Sequence, residues 1–380
     1  MYNPILMGLT CGSAFLLAFL LFSHPRGTNA RANQWLGVFM ATFGLAMLQI
    51  LVDNLNLTTR HLTLVEGIEL SRFLTAPSLY LSVLFFTTPA RTFHRKDLWH
   101  FVPFLLFFLF RLPYLLPGSP ARNPVIENEA LRFVVLSVIR FALPLQSVLY
   151  LVVSYVALQK HQRIIQKIAS STATIDLGWL KYFLAGLFVV LLLWLNLVLF
   201  TVESLYQFTP VLYLGSTYFL AYFSLHQKEI YAFTTSELTQ VIEIIAEPET
   251  NLPVEKQKRL ADNQIEPLKG KLIHLMQQEK LYLDNELNLL QLAQRMQITS
   301  YELSYLLNEG FGENFFQFVN TYRVEEAKQL LASEKSQHLN MLGIAYQAGF
   351  NSKTTFNTTF KKLTGQSPSG YLQMIRERNP

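Results

Sequence analysis

The chain has 380 residues, more than one ordinary domain holds, so two or more units are expected. It is 51% hydrophobic and only 15% charged, with a formal net charge of +5. Its single cysteine, Cys11, excludes an intrachain disulfide framework and a cysteine-built metal site. These averages conceal two unlike parts. Residues 1–226 carry 15 Lys and Arg against 8 Asp and Glu, whereas residues 227–380 carry 16 against 18. The basic balance belongs to the N-terminal part and does not by itself argue for a nucleic-acid partner.

Crossing ~30 Å of hydrocarbon takes ~20 mostly apolar residues. Seven runs approach that length: 4–22, 35–52, 70–88, 99–116, 133–158, 179–200 and 209–225. The third is weakened by Arg72 and Pro77, the fourth by Arg111 and Pro113. No Lys or Arg precedes the first run, so it lacks the charged start of a cleaved signal peptide and is expected to stay as a span. Between the runs, Arg26, Arg31, Arg91, Arg95, Lys96, Lys160, Arg163 and Lys167 fall on one side, and Arg60, Arg122 and Arg132 on the other. That bias predicts an outer N-terminus and a cytoplasmic C-terminus in a lipid bilayer. Trp35, Trp99 and Trp179 sit at run edges, where an indole is comfortable between headgroup and hydrocarbon.

Charges inside such runs need a reason. Arg111 and Arg140 lie within runs and Arg72 just inside one, all toward the outer ends, with Asp53, Glu66, Glu69 and Glu203 nearby. Two readings stand side by side. Arg72, Arg111 and Arg140, with Glu203, line a cavity that senses an anionic ligand; or ion pairing and snorkelling simply hold the bundle together. Paired intramembrane carboxylates, HExxH, GxSxG and a Gly-rich phosphate loop are all missing from the runs. His24, His61, His94 and His100 are scattered among loops. No enzymatic activity, cofactor or metal is therefore expected.

Residues 227–264 read as a linker. Leu238, Val241, Ile242 and Ile245 fall at helical spacing behind Thr235 and Ser236, which predicts a short amphipathic helix. The stretch EPETNLP at 247–253 reads as a hinge. An amphipathic run at 265–278 follows, containing Leu268, Leu272, Ile273, Leu275 and Met276.

The last 116 residues contain a repeat. Leu292, Ala293, Gln297 and Ile298 match Ile344, Ala345, Gly349 and Phe350 at an offset of 52; Leu303, Leu307 and Gly312 match Phe356, Phe360 and Gly365 at 53. Each copy reads as two short helices around a sharp turn, and the second has one extra residue at its turn. In that copy Gly349 supplies the bend and Asn351 or Ser352 caps the next helix. Phe356 and Phe360 anchor one face, leaving Lys353, Thr354, Asn357, Thr358, Lys361 and Lys362 outward, and these together with Asn351 and Ser352 are the candidates for DNA contact in this copy. Donors, hydroxyls and amides without a carboxylate suit a helix laid in the major groove of DNA.

Two such units on one connecting helix resemble the AraC-type DNA-binding domain. The resemblance covers about residues 265–376 and rests on LAQRMQITSYELSYLLNEGFG, NTYRVEEAKQLL, IAYQAGFNSKTTFNTTFKKLTG and SPSGYL. It implies a bacterial transcription regulator that works as a homodimer on double-stranded DNA, with two recognition helices in successive major grooves. The copies are not equivalent. Residues 281–334 hold three basic residues against eight acids, residues 335–376 five and no acid. The second unit is therefore expected to supply most of the DNA affinity. In the first, Ser300, Tyr301, Ser304 and Tyr305 are candidates for DNA contact, and Glu302 can accept from a cytosine amino group. Alternatively the first unit is a protein-contact surface.

The expectation is an all-α chain: a seven-helix transmembrane sensor at 1–226, a linker at 227–264 and a cytoplasmic double helix-turn-helix domain at 265–380. Its expected role is a one-component transcription regulator embedded in the bacterial cytoplasmic membrane. The other candidate is a membrane receptor or scaffold whose cytoplasmic helices bind a protein partner.

Overall fold

The computed structural model describes residues 3–23, 29–58, 62–88, 91–115, 129–172, 175–199, 208–230, 260, 262–333 and 339–378. The expected linker helix and hinge, Glu203, and the side chain of Arg140 lie outside the described residues. Among the described residues there are helices and helical turns but no strand; an isolated bridge joins Ala169 and Asn288. The chain divides into two compact units, 1–159 with 178–229, and 160–177 with 230–380.

The first unit contains α1 (Pro4–Ser23), α2 (Ala30–Asn54), α3 (Leu62–Leu70), α4 (Arg72–Thr87), α5 (Val102–Leu115), most of α6 (Glu129–Ile168), α7 (Gly178–Leu199) and α8 (Thr209–His226). Helix α1 packs along α2 and also meets α8, while α2 packs along α4. Small residues let α1 and α2 come close. A methyl group at Gly37 would lie 3.1 Å from the Phe22 ring, and one at Gly44 3.2 Å from Phe15. Helix α1 buries Met7, Cys11, Ala14, Ala18 and Leu21 yet exposes Ile5, Leu9, Leu16 and Phe19. It is apolar all round, with no polar stripe along one face.

Among the described residues five stretches are long and apolar enough to cross a membrane: Pro4–Ser23, Ala30–Asn54, Val65–Thr87, Phe141–Ile168 and Gly178–Asn196. Two of the seven expected runs fall short, for different reasons. The run at 99–116 is split, because Arg95–Phe101 winds as a 3-10 turn and α5 begins only at Val102, with 14 described residues. That turn is fixed by Asp97, which accepts from the His94 N–H at 2.9 Å and from Arg91 at 2.6 Å. Helix α8 has 18 residues, but Thr, Ser and Tyr recur along it and dilute its apolarity.

The second unit contains α9 (Asp262–His274), α10 (Leu289–Met296), α11 (Ser300–Tyr305), α12 (Phe315–Ala332), α13 (Met341–Gln347), α14 (Lys353–Thr364) and α15 (Pro368–Arg378). Pairs α10–α11 and α13–α14 repeat each other down to single hydrogen bonds. Ile298 N–H donates to Ala293 O at 3.1 Å, and Phe350 N–H to Ala345 O at 2.9 Å. Both close the same helix-ending motif, with a left-handed residue at Gln297 (φ 57°) or Gly349 (φ 88°). The caps then differ by one position. Thr299 directly follows Ile298, whereas Asn351 intervenes before Ser352, which accepts from the Thr355 N–H at 3.1 Å. The extra turn residue of the second copy is thus Asn351.

Helix α12 joins the two copies. It starts with a reciprocal cap between Asn314 and Gln317 and buries Phe315, Phe318, Val319, Val324, Ala327 and Leu331. Val324, Ala327, Leu330 and Leu331 share one core with Ile344, Ala345, Phe350, Phe356 and Phe360. Residues 160–177, which the sequence reading places inside the N-terminal part, belong to this second unit.

Gly349 is required by contact as well as by its dihedral. A methyl group there would collide with the Tyr282 carbonyl oxygen and approach Leu283 Cα to 2.9 Å, both of them backbone atoms that cannot swing aside. Gly349→Ala should therefore cost the second unit at least ~2 kcal/mol. Amide hydrogen exchange around Phe350 and Phe356 would read this as faster exchange of about thirtyfold; unchanged exchange would refute it.

Candidate nucleic-acid interface

Helix α14 is built with two faces. Phe356 and Phe360 are fully buried, with ring centroids 5.6 Å apart, and Phe360 meets Tyr371 of α15 at 5.4 Å. With that face fixed, the helical period turns Lys353, Thr354, Thr358, Lys361 and Lys362 to the exterior, all exposed, while Asn357 is half-buried. The Thr358 hydroxyl donates back to Thr354 O at 2.8 Å and keeps a lone pair for an incoming donor. Ser352 is occupied as the cap, donating to Thr355 Oγ1 at 2.9 Å. Asn351 is half-buried, and its Oδ1 has no hydrogen-bond partner.

The first copy is less suited to reading bases. Ser300 is 3% exposed and does not stand on the outer face, because the first residue of α11 packs inward. The Glu302 carboxylate accepts from the Thr299 N–H at 2.8 Å and from its hydroxyl at 2.9 Å, so the helix cap already holds the oxygen proposed for cytosine. Tyr301, Ser304 and Tyr305 are half-buried. Where α14 ends in exposed Lys361 and Lys362, the first copy exposes Asn308 and Glu309. Helix α11 also stops after 6 residues and passes into a wider turn at Leu306–Phe311, against 12 residues for α14.

Arg323 of α12, whose importance sequence reasoning missed, ties that helix to the stretch 282–284 and to Ser170. Its guanidinium is 0% exposed. Nε donates to Tyr282 O at 2.7 Å, Nη1 to Ser170 O at 3.0 Å and weakly to Asn320 Oδ1 at 3.5 Å, and Nη2 to Ser170 Oγ at 2.9 Å and Asp284 O at 2.7 Å. All five guanidinium N–H groups thereby have an oxygen to point at, and none of those oxygens is a carboxylate. Burial pulls the guanidinium down to about 10, with Asp284 nearby acting the other way, which leaves it charged at neutral pH. The Phe350 ring lies 5.9 Å from its carbon. Asn320 supports Ser170 by donating to its carbonyl at 3.0 Å, and Ser170 N–H donates to Leu287 O at 3.3 Å. One signal was available: Val319, Arg323 and Ala327 are four apart, which places the arginine on the buried stripe. For Ser170 the sequence holds no comparable sign.

In the first unit, Arg72 and Arg111 have opposite surroundings. The Arg111 Nη2 pairs with Glu66 and with Glu69 at 2.7 Å, and Glu69 also accepts from Gln49 at 2.8 Å. Arg72, half-buried, lines a cavity.

Comparison with known proteins bears on the second unit. Residues 292–374 match the family described as Helix-turn-helix domain. A Bacillus subtilis protein named Uncharacterized HTH-type transcriptional regulator YtdP is 29% identical over 116 residues, which is 30% of this chain and 14% of that protein. A Staphylococcus aureus protein, also named as an uncharacterized HTH-type transcriptional regulator, is 34% identical over 92 residues, 24% of this chain and 12% of that protein. The matched stretch thus spans a small part of each relative's length. Among solved structures, the C-terminal domain of the two-component response regulator yesN from Fusobacterium nucleatum is similar at 29% identity, covering 29% of this chain and 98% of that one, with a TM-score of 0.24. The C-terminal part of this chain carries a helix-turn-helix domain of the AraC type, and the relatives it resembles are named as transcription regulators.

Replacing Arg323 with Met would strand the Tyr282 carbonyl in a dry interior, at ~1–3 kcal/mol, take the buried donors away from Ser170 Oγ and the Asp284 carbonyl, and leave the Ser170 carbonyl to Asn320. Loss of stable folding in the second unit is expected, read by proteolysis at Leu281–Leu283. Ser170→Ala, which leaves the Ser170 carbonyl in place, should cost ~1–2 kcal/mol and raise exchange at the same amides without unfolding the unit. Equal damage from the two changes would contradict the hydrogen-bond geometry.

Proposed function

We propose that this chain is a membrane-embedded transcription regulator that binds promoter DNA through its second helix-turn-helix copy and responds to a signal received by its N-terminal helices. The observation that carries the DNA part is the exposed face of α14, with Lys353, Lys361 and Lys362 among short hydroxyls and no acid anywhere in residues 335–376. Lysines neutralise phosphates, and hydroxyls and amides reach base edges, once a helix of this kind enters the major groove. The names of the relatives support the same reading. The first copy contributes positioning more than base recognition, since Ser300 is buried and Glu302 is held by its cap. A homodimer would bring two α14 helices to paired sites and raise the effective concentration of the second contact.

The membrane part is supported by five long apolar helices and by apolar residues exposed along α1, α6 and α7, among them Phe19, Leu145, Val152, Phe188 and Val189. Seven spans with the C-terminus in the cytoplasm remain the topology that basic loop residues favour. Helix α6 supports a route for the signal. It is continuous from Glu129 to Ile168, and its end leads within two residues to Ser170, which caps Arg323. A ligand that favours one setting of α6 would thereby bias the frame that carries α14.

The test uses the full chain in lipid nanodiscs and genomic DNA fragments across a salt series. Specific binding is expected, with log affinity falling steeply against log salt. Lys361→Glu should weaken it at least tenfold and flatten the slope, whereas Lys328→Glu on α12 should not. Salt-independent binding, or none at low salt, would discard the regulator reading in favour of a protein-binding scaffold.

A further inference from the structure

The first unit encloses a cavity of about 560 Å³ between α2, α4, α6, α7 and α8, within the roughly 300–1,000 Å³ typical of small-molecule sites. Its wall is mostly hydrocarbon, including Phe39, Leu79, Leu143, Leu187, Leu191 and Trp194. Among the described residues one charged side chain, Arg72, reaches that wall, and no Asp or Glu does. The Arg72 side chain makes no hydrogen bond or ion pair among the described residues. The nearby hydroxyls are already engaged: Ser147 donates to Leu143 O at 2.8 Å and Tyr150 is 2.9 Å from His100 Nδ1.

We propose that this cavity binds a single-chain amphiphile with an anionic head, the head paired with Arg72 and the chain lying along the apolar wall. This rests on the reading of the N-terminal helices as a sensor and gives that sensor a ligand class. A guanidinium beside hydrocarbon is costly until an anion meets it, and its fork matches a carboxylate or phosphate oxygen pair. Arg111 shows what a structural arginine looks like in the same unit, because Glu66 and Glu69 neutralise it in place. Among the described residues Arg72 meets no such carboxylate, and its matching anion is assigned to the ligand. A small hydrophilic anion would leave the remaining wall unfilled, whereas an alkyl chain fills it favourably. A carboxylate amphiphile and a single-tailed bilayer phospholipid share this chemistry.

The probe is bromine-labelled dodecanoate, since bromine quenches a nearby indole and Trp194 lines the cavity. The full chain is placed in nanodiscs of zwitterionic phospholipid and the emission of its 4 tryptophans is followed. Saturable quenching is expected, most of it lost in Trp194→Phe. Arg72→Gln should raise the half-saturating concentration at least tenfold, and Arg72→Lys should recover part of that loss. Non-saturable quenching, equal in wild type and Arg72→Gln, would mean simple partition into the bilayer and overturn the proposal. So would equal saturable quenching by a bromoalkyl trimethylammonium of the same length. Competition by an anionic lysophospholipid supports the site and assigns its occupant to the bilayer; saturable quenching without such competition supports a free carboxylate. DNA binding by the same preparation is measured without ligand. Lost quenching with DNA binding intact overturns this site alone, and the reverse result overturns the regulator reading alone.

Discussion

A guanidinium buried away from water tolerates no idle N–H, and this requirement organises the whole C-terminal unit. Arg323 reaches Tyr282, Asp284 and Ser170 from one point on α12, so two separate chain segments, 282–284 and the stretch at Ser170, are fixed relative to the connector at once. Because the acceptors are backbone oxygens and a hydroxyl, the positive charge is held by dipoles instead of by a counter-charge, and a small displacement of any acceptor leaves a donor unmet. Gly349 belongs to the same knot: its missing side chain lets the second turn press against the Tyr282 carbonyl that Arg323 holds. The position of α14 is thus inherited from hydrogen bonds made well outside it.

Duplication of the helix-turn-helix has not preserved equal roles. Backbone bonds at Ala293–Ile298 and Ala345–Phe350 are the same, so the scaffold is shared, while the exposed chemistry has diverged. One copy offers lysines; the other exposes Asn308 and Glu309 and uses its remaining carboxylate to cap its own helix. Because phosphate neutralisation dominates affinity for DNA, the two exposed surfaces are unequally suited to a nucleic acid.

Arginines in the N-terminal helices illustrate how one residue type takes different roles from its surroundings. Arg111 on α5 faces two carboxylates one turn apart on α3 and ties those helices together. Arg72, at the start of α4, meets a cavity wall instead. Sequence proximity does not separate these cases, since Glu66 and Glu69 are closer along the chain to Arg72 than to Arg111.

Much of the molecule was legible from residue order alone. Apolar runs marked the long helices, the 52- and 53-residue offsets marked the repeated units, and Phe356 with Phe360 marked which side of α14 turns outward, because each is a periodicity carried within one segment. Three-dimensional packing decided the rest. The 99–116 run was shortened by an Asp97-capped turn, Ser300 went inside, and Glu302 closed its own cap. The docking of Ser170 onto Arg323 joins residues 153 positions apart, and no local pattern encodes a bond between a loop and a helix that distant. What lies within one turn of helix is written in the sequence; which polar groups find one another across the fold is set only when the chain closes on itself.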